Sequence, residues 1–324
     1  MHRRPPRPDV IYLRGPDNRS IKVPGPTWDL LDDETRLSLL EAAGLAQFYE
    51  PSSAPAPEIE PPPSRDERVL TVLTYNVKRD NEPRDWTNIV QLLLRLQPDV
   101  IALQEVAPPI YRMTQDALGR DYDMVISPTR HDAEMLLARK DLGAHMYEPL
   151  LLPDTGDQKR HLLTLQLHLP GGLRLVVGTL HAQSVFFERR HTDTKCRQIG
   201  ASVRELESFH PHCLLLVGDM NLTSGHELGA ENRCIDALGL EDVWKSLHDT
   251  TEDEHDRAYR RDDVTWDGAN NPKVRGHEFH RPDRVFLKCL DDGGGGGLAM
   301  IPLEIERIVN TFSDHYGLVA RFSY

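Results

Sequence analysis

The chain reads as an α/β protein in which mixed sheets are covered by helices in layers, and three features of the sequence carry that reading. From Val69 onward, short β-branched apolar runs alternate with segments of helical spacing. The runs LLTLQLHL (162–169) and LRLVVGTLH (173–181) are joined by Pro170, Gly171 and Gly172, the strongest hairpin signal in the chain. The length of 324 residues accommodates one large core of about 250 residues plus an appendage.

The appendage comes first. Twelve of the 24 prolines precede residue 64, a density that keeps the segment extended and prevents regular ladders. Residues 1–66 are therefore set apart as a Pro-rich N-terminal leader, and residues 67–324 as the main domain. Within the leader, the stretch from Thr27 to Glu50 places Leu30, Leu31, Leu37, Leu40, Leu45 and Phe48 at roughly helical spacing, a short helix that docks on the domain or on a protein partner. VLTVLTYN (69–76) is a strand ending in Asn76. A helix follows from Asp85, its N-cap, to Leu96, with Ile89, Leu92, Leu93 and Leu96 on one face; Pro98 stops it. VIALQEV (100–106) is the next strand, and after the hairpin a helix around Asp193 to Phe209 leads into the strand CLLLVGDMN (213–221). RPDRVFLK (281–288) and LVARF (318–322) are further strands, with Gly293 to Gly297 a flexible loop between them.

A formal net charge of −13 argues against a broad basic surface for long nucleic acid, while leaving room for a small basic pocket or for acids gathered around a cation. The four cysteines, Cys196, Cys213, Cys234 and Cys289, have no paired spacing, which suits reduced thiols rather than a disulfide scaffold or a zinc site. MHRRPPRPDV is basic but leads into no apolar stretch, and no run reaches the length of a membrane span. Nucleus or cytoplasm, without a membrane, is the expected location.

Polar residues recur where the strands run out: Asn76, Glu105, His181, Asp219 with Asn221, Asp283, and Asp314 with His315. Each has a bland reading alone, since Asn76 can form a turn, Glu105 can be a solvated strand end and His181 a satisfied rim histidine. Together they suggest convergence, because ligands of α/β sheets sit beyond strand ends. Asp219 and Asn221 alternate at the end of a strand, so the period of two aims both side chains one way; the bland alternative is a turn, which Asp and Asn both favour. Three carboxylates (Glu105, Asp219, Asp314) with amides and imidazoles, and no ordered cysteine cluster, make an oxygen-rich site of the kind Mg²⁺ prefers. A divalent cation would relieve the repulsion among such acids and polarise a phosphoryl oxygen.

The ordered motifs YN (75–76), LQEV (103–106), LH (180–181), GDMN (218–221), PDRVF (282–286) and SDH (313–315) resemble the endonuclease/exonuclease/phosphatase superfamily over about residues 69–324. The resemblance implies a four-layer α/β sandwich, two mixed β-sheets packed face to face with helices outside and the site at one edge. It implies that Glu105 binds the metal with Asp314 on the metal side, and that Asn76 helps hold the metal-bound phosphate. Asp219 would orient or deprotonate the attacking water with Asn221 as companion, His181 and His315 would steady the phosphate, and Asp283 would hold the His315 ring. Within the superfamily the likeness runs to members that release a tyrosine or peptide adduct from a DNA 5′ end, on the strength of DVW (242–244) and TWD (265–267). Trp266 would then line a DNA groove, although a core anchor is an equal reading. Ser184, Arg275 and Arg281 would contact substrate, the arginines gripping phosphate or lying in a solvated basic loop. Gln183 stands where relatives have Glu, and Thr223 where they have Arg. The implied protein is a monomeric, Mg²⁺-dependent phosphodiesterase, with Mn²⁺ as substitute, acting on DNA 5′ ends. The alternatives keep the chemistry and change the substrate to poly(A) RNA, abasic DNA or a phosphoinositide, or discard it for a binding module.

Overall fold

The computed structural model describes residues 10–14, 20–24, 68–129, 132–154, 159–184, 190–222, 228–248, 264–274, 279–290 and 298–324. The expected helix at 27–50, the glycine run, Thr223 and Arg275 lie outside them. The chain divides into two compact units, Met1–Arg65 and Asp66–Tyr324. In the first, β1 (Val10–Arg14) pairs antiparallel with β2 (Ser20–Pro24). This corrects the expectation that prolines exclude a ladder from the leader: VIYLR contains none, and the one proline of SIKVP is its last residue.

The second unit opens with β3 (Val69–Asn76) and α1 (Pro83–Leu96). The helix begins at Pro83 rather than after Asp85, because proline at the first helical turn forfeits no hydrogen bond. Asp85 is instead a buried first-turn acid that accepts from Lys273 Nζ at 2.6 Å, and Leu96 is exposed, outside the apolar stripe. Next come β4 (Val100–Val106), α2 (Pro108–Leu118), β5 (Tyr122–Ile126) and β6 (Ala133–Arg139). The short β7 (His145–Met146) and β8 (Leu150–Leu151) precede the expected hairpin, β9 (His161–Leu169) and β10 (Leu173–His181), whose turn uses Gly171 and Gly172 at φ 83° and 87°. Then follow α3 (Arg190–Ser208), β11 (Cys213–Asp219), α4 (Leu228–Ala237), β12 (Glu241–Asp242) and α5 (Val243–Leu247). The chain closes with β13 (Trp266–Asp267), β14 (Phe279–His280), β15 (Asp283–Cys289), β16 (Ile301–Ile308) and β17 (Gly317–Ser323).

Two mixed sheets result, with strand orders β12-β15-β11-β10-β9-β7 and β16-β17-β3-β4-β6-β5. Their inner faces share one core, to which the second sheet contributes Val72, Ala102, Leu318 and Phe322, and the first Leu165, Val177 and Leu215. On the outer face of the second sheet, Ile89 and Leu93 of α1 and Ile110 of α2 pack on Leu73, Ile101 and Leu137. On the outer face of the first, Ile199, Val203 and Leu206 of α3 pack on Val176, Leu214 and Leu216. Each such buried leucine or isoleucine contributes about 1.5–3 kcal/mol of apolar burial. The order is therefore helices, sheet, sheet, helices.

Cys213 and Cys289 oppose each other in the β11–β15 register and form a disulfide, against the expectation of four reduced thiols. They are 76 residues apart in sequence, so only the sheet brings them together. Among the described residues no helix is long and apolar enough to cross a membrane.

Candidate active site

The parallel pairs β3–β4 and β10–β11 send four strand ends to one rim. Asn76 is the last residue of β3, Glu105 the penultimate one of β4, His181 the last of β10 and Asp219 the last of β11. β15 and β17 run antiparallel to their neighbours, so their starts reach the same rim, bringing Asp283 at the head of β15 and His315 two residues before β17. His181, Asp219 and Asp283 are consecutive partners across three strands. Gly218 lets β11 come this close: a Cβ there would lie 2.1 Å from the Leu180 carbonyl oxygen.

The two sheets meet at the side chain of Asn76. Its Nδ2 donates to Asp219 Oδ2 at 3.0 Å and to Glu105 Oε1 at 3.2 Å, while its Oδ1 accepts from the Lys78 amide at 3.0 Å. Glu105 has a left-handed backbone (φ 57°) where the β4–β6 register shifts between Leu103 and Val106. A bulge of this kind re-aims one side chain; it lets Gln104 point inward to Thr179 Oγ1 at 3.1 Å and Glu105 reach Asn76. Asp314 pairs with Lys78 at 3.2 Å.

The two histidines are held differently. His315 Nδ1 donates to Asp283 Oδ2 at 2.8 Å. Burial alone would depress the ring's pKa, but the Asp283 carboxylate outweighs it and raises the value to about 10. His181 is driven well below its ordinary value by burial and by the Arg160 guanidinium. Arg160 Nη1 donates to His181 Nδ1 at 2.9 Å, which assigns the ring proton to Nε2, the atom 3.4 Å from Asp219 Oδ2. Burial pushes Asp219 up to about 6, offset in part by His315.

Asn221 departs from the expected alternation. β11 stops at Asp219, and Asn221 turns left-handed at φ 49° with its amide donating to Asp219 Oδ1 at 2.8 Å and its Nδ2 to the Ala182 carbonyl at 3.0 Å. The turn and the site are thus one feature. Trp266 lies edge-on to His315, ring centroids 5.0 Å apart, and is half-buried. Arg281 is corrected: it is buried and donates twice to Asp242, at 3.0 and 2.9 Å, instead of reaching toward a phosphate. Ser184 is half-buried. Arg160 and Gln104 escape sequence reasoning; a cation immediately before the apolar run HLLTLQL is the one signal that could mark Arg160.

Two groups of ligands could hold a cation. Asp219, Asp283 and His315 offer atoms within 4.8 Å of one another. His315 Nδ1 is already hydrogen-bonded to Asp283, so Nε2 is the ring nitrogen left for a cation. Within the trio His315 and Asp283 share a hydrogen bond, while His315 Nε2 stands 3.8 Å from Asp219 Oδ2, beyond hydrogen-bond reach. Glu105 and Asp314, both only partly buried, are further hard oxygen donors of the kind a divalent metal takes, Asp314 being paired with Lys78.

The model of the Endonuclease/Exonuclease/phosphatase family matches residues 73–315. Tyrosyl-DNA phosphodiesterase 2 of Gallus gallus is 25% identical over 267 residues, covering 78% of this chain and 66% of that protein. The Mus musculus protein of the same name is 24% identical, covering 79% and 67%. This chain thus spans just under two thirds of the first relative's length. Among solved structures, D. rerio TDP2 complexed with single strand DNA product superposes with a TM-score of 0.63 at 19% identity, over 79% of this chain and 99% of that one. The human Nocturnin catalytic domain gives 0.59 at 17%, over 79% and 93%.

Proposed function

The chain belongs to the endonuclease/exonuclease/phosphatase family, and from that premise we propose that it is a metal-dependent phosphodiesterase that hydrolyses the bond between a DNA 5′ phosphate and a tyrosine or peptide adduct. The observation that carries the chemistry is the bridge from Asp219 through Asn76 to Glu105, which joins a candidate base to a candidate metal ligand across the two sheets. Asp219, with a pKa of about 6, takes the proton of the attacking water. Asn221 fixes the orientation of that carboxylate. His315 as a cation and His181 through its Nε2–H stabilise charge growing on the phosphate, and Asp283 keeps His315 charged. Glu105 and Asp314 would hold Mg²⁺ or Mn²⁺, whose chemistry when bound is to neutralise the phosphate and polarise its oxygen.

The substrate assignment is supported by the names of the curated relatives and by Trp266, an aromatic face beside His315 suited to a base, sugar or tyrosine ring. The test is to assay a 5′-phosphotyrosyl oligonucleotide beside an abasic duplex, an oligoadenylate and a phosphoinositide, with and without EDTA. Preferred release of tyrosine that chelation abolishes and Mg²⁺ restores is the expected result. Preference for another substrate would move the assignment within the family, and turnover indifferent to chelation would remove the metal role.

A further inference from the structure

A buried ion pair stands behind the Asn221 turn. Lys195 of α3 and Glu231 of α4 are 1% and 0% exposed, and Lys195 Nζ lies 3.2 Å from Glu231 Oε1. The same Nζ donates to the backbone carbonyl of Asn221 at 2.6 Å. Desolvating two charges makes such a pair a poor source of stability, and apolar side chains of similar volume would serve packing as well or better. What an apolar pair cannot do is donate a hydrogen bond. Asn221 has a left-handed backbone, a conformation asparagine takes more readily than most residues, and its amide, side-chain Nδ2 and carbonyl are each tied down there. Its amide is bound to Asp219 Oδ1, its side chain to Ala182 and its carbonyl to Lys195, so every one of these bonds fixes the same turn.

We propose that Lys195, held in place by Glu231, is a positioning residue that locks the Asn221 turn and through it aims the Asp219 carboxylate at the attacking water. The proposal rests on the phosphodiesterase reading for its kinetic consequence, but its structural consequence is independent of it. Lys195 is buried and acts through a carbonyl two residues from the base. Misaiming a base should lower kcat and leave KM nearly unchanged, since substrate contacts are not altered.

The test uses the full chain carrying Lys195→Met with Glu231→Leu, which removes both charges together, and Lys195→Arg, which keeps a cationic donor. Turnover of a chromogenic 5′-nucleotide diester, thermal melting and hydrogen exchange at the Asn221 amide are measured on each. The apolar pair should melt close to wild type yet lose roughly 100-fold in kcat, with KM little changed and Asn221 exchanging faster. Lys195→Arg should recover most of that loss. Wild-type kcat and unchanged exchange in the apolar pair would overturn the proposal, as would a loss of activity that only follows a loss of melting temperature. If the wild-type chain turns over no diester, the phosphodiesterase reading fails on its own. The exchange measurement then decides: faster exchange in a normally melting apolar pair supports the lock, and unchanged exchange refutes it.

Discussion

His181 and His315 flank one carboxylate, their Nε2 atoms 3.4 and 3.8 Å from Asp219 Oδ2, and the fold gives them different charge. His181 ends a strand inside one sheet, where burial and Arg160 keep it neutral. His315 leads into a strand of the other sheet, where Asp283 reaches across and keeps it protonated. The partner on Nδ1, rather than the residue type, decides what each ring can offer a phosphate.

The most severe way to break this arrangement is Asp219→Asn, which removes the charge both rings face. A loss of about 10³-fold in kcat is expected from deleting a general base, with no loss in melting temperature, because a buried carboxylate with a raised pKa is held at a cost. Normal turnover in that variant would end the assignment of Asp219. In the wild type, kcat/KM should rise with pH through about 6 as Asp219 ionises; a flat acid limb would point to another base.

Asp283→Asn should cost about 10–100-fold in kcat, the range for a partner that orients a site residue. It should also alter stability in a defined window. Because His315 binds its proton more tightly in the folded chain, its stabilising contribution is complete below its ordinary value of 6.5 and is lost as pH rises through about 10. Melting temperature measured across that window should fall less steeply in Asp283→Asn than in wild type; identical profiles would show that the pair does not hold the charge. Arg160→Gln sharpens the other side of the comparison, with about a tenfold loss expected from weaker orientation of His181. Nitrogen NMR of the ring should then show a mixture of tautomers where wild type shows one. The smallest effect belongs to Arg79→Ala: its guanidinium is exposed and pairs with Asp132 at 2.9 Å, a contact worth about 0.2–1 kcal/mol.

Much of the site is legible in the sequence because strands announce themselves by apolar runs, and a polar residue at the end of such a run has few places to go. Asn76, Glu105, His181, Asp219, Asp283 and His315 all stand out this way and lie along one rim. Asn221 stands out for a reason that fails, since the alternation on which it rests ends two residues earlier. Arg281 looks like a phosphate grip because charge in a sequence carries no direction; the fold turns it inward to Asp242. β5, β6 and β16 escape the sequence reading, although Leu303 and Ile305 alternate with Glu304 and Glu306 in β16 at the period of a half-buried strand. The Cys213–Cys289 bond depends on a register that spacing along the chain cannot express.

The sequence by itself determined the kinds of chemistry available, a set of acids, amides and imidazoles placed at strand ends, because local periodicity records where a strand stops. Only the tertiary structure decided their states: which histidine is charged, which carboxylate has its pKa raised, and which lysine sits behind the turn. Those depend on burial and on partners far along the chain, and a pKa is set by the few ångströms around a group rather than by its neighbours in sequence.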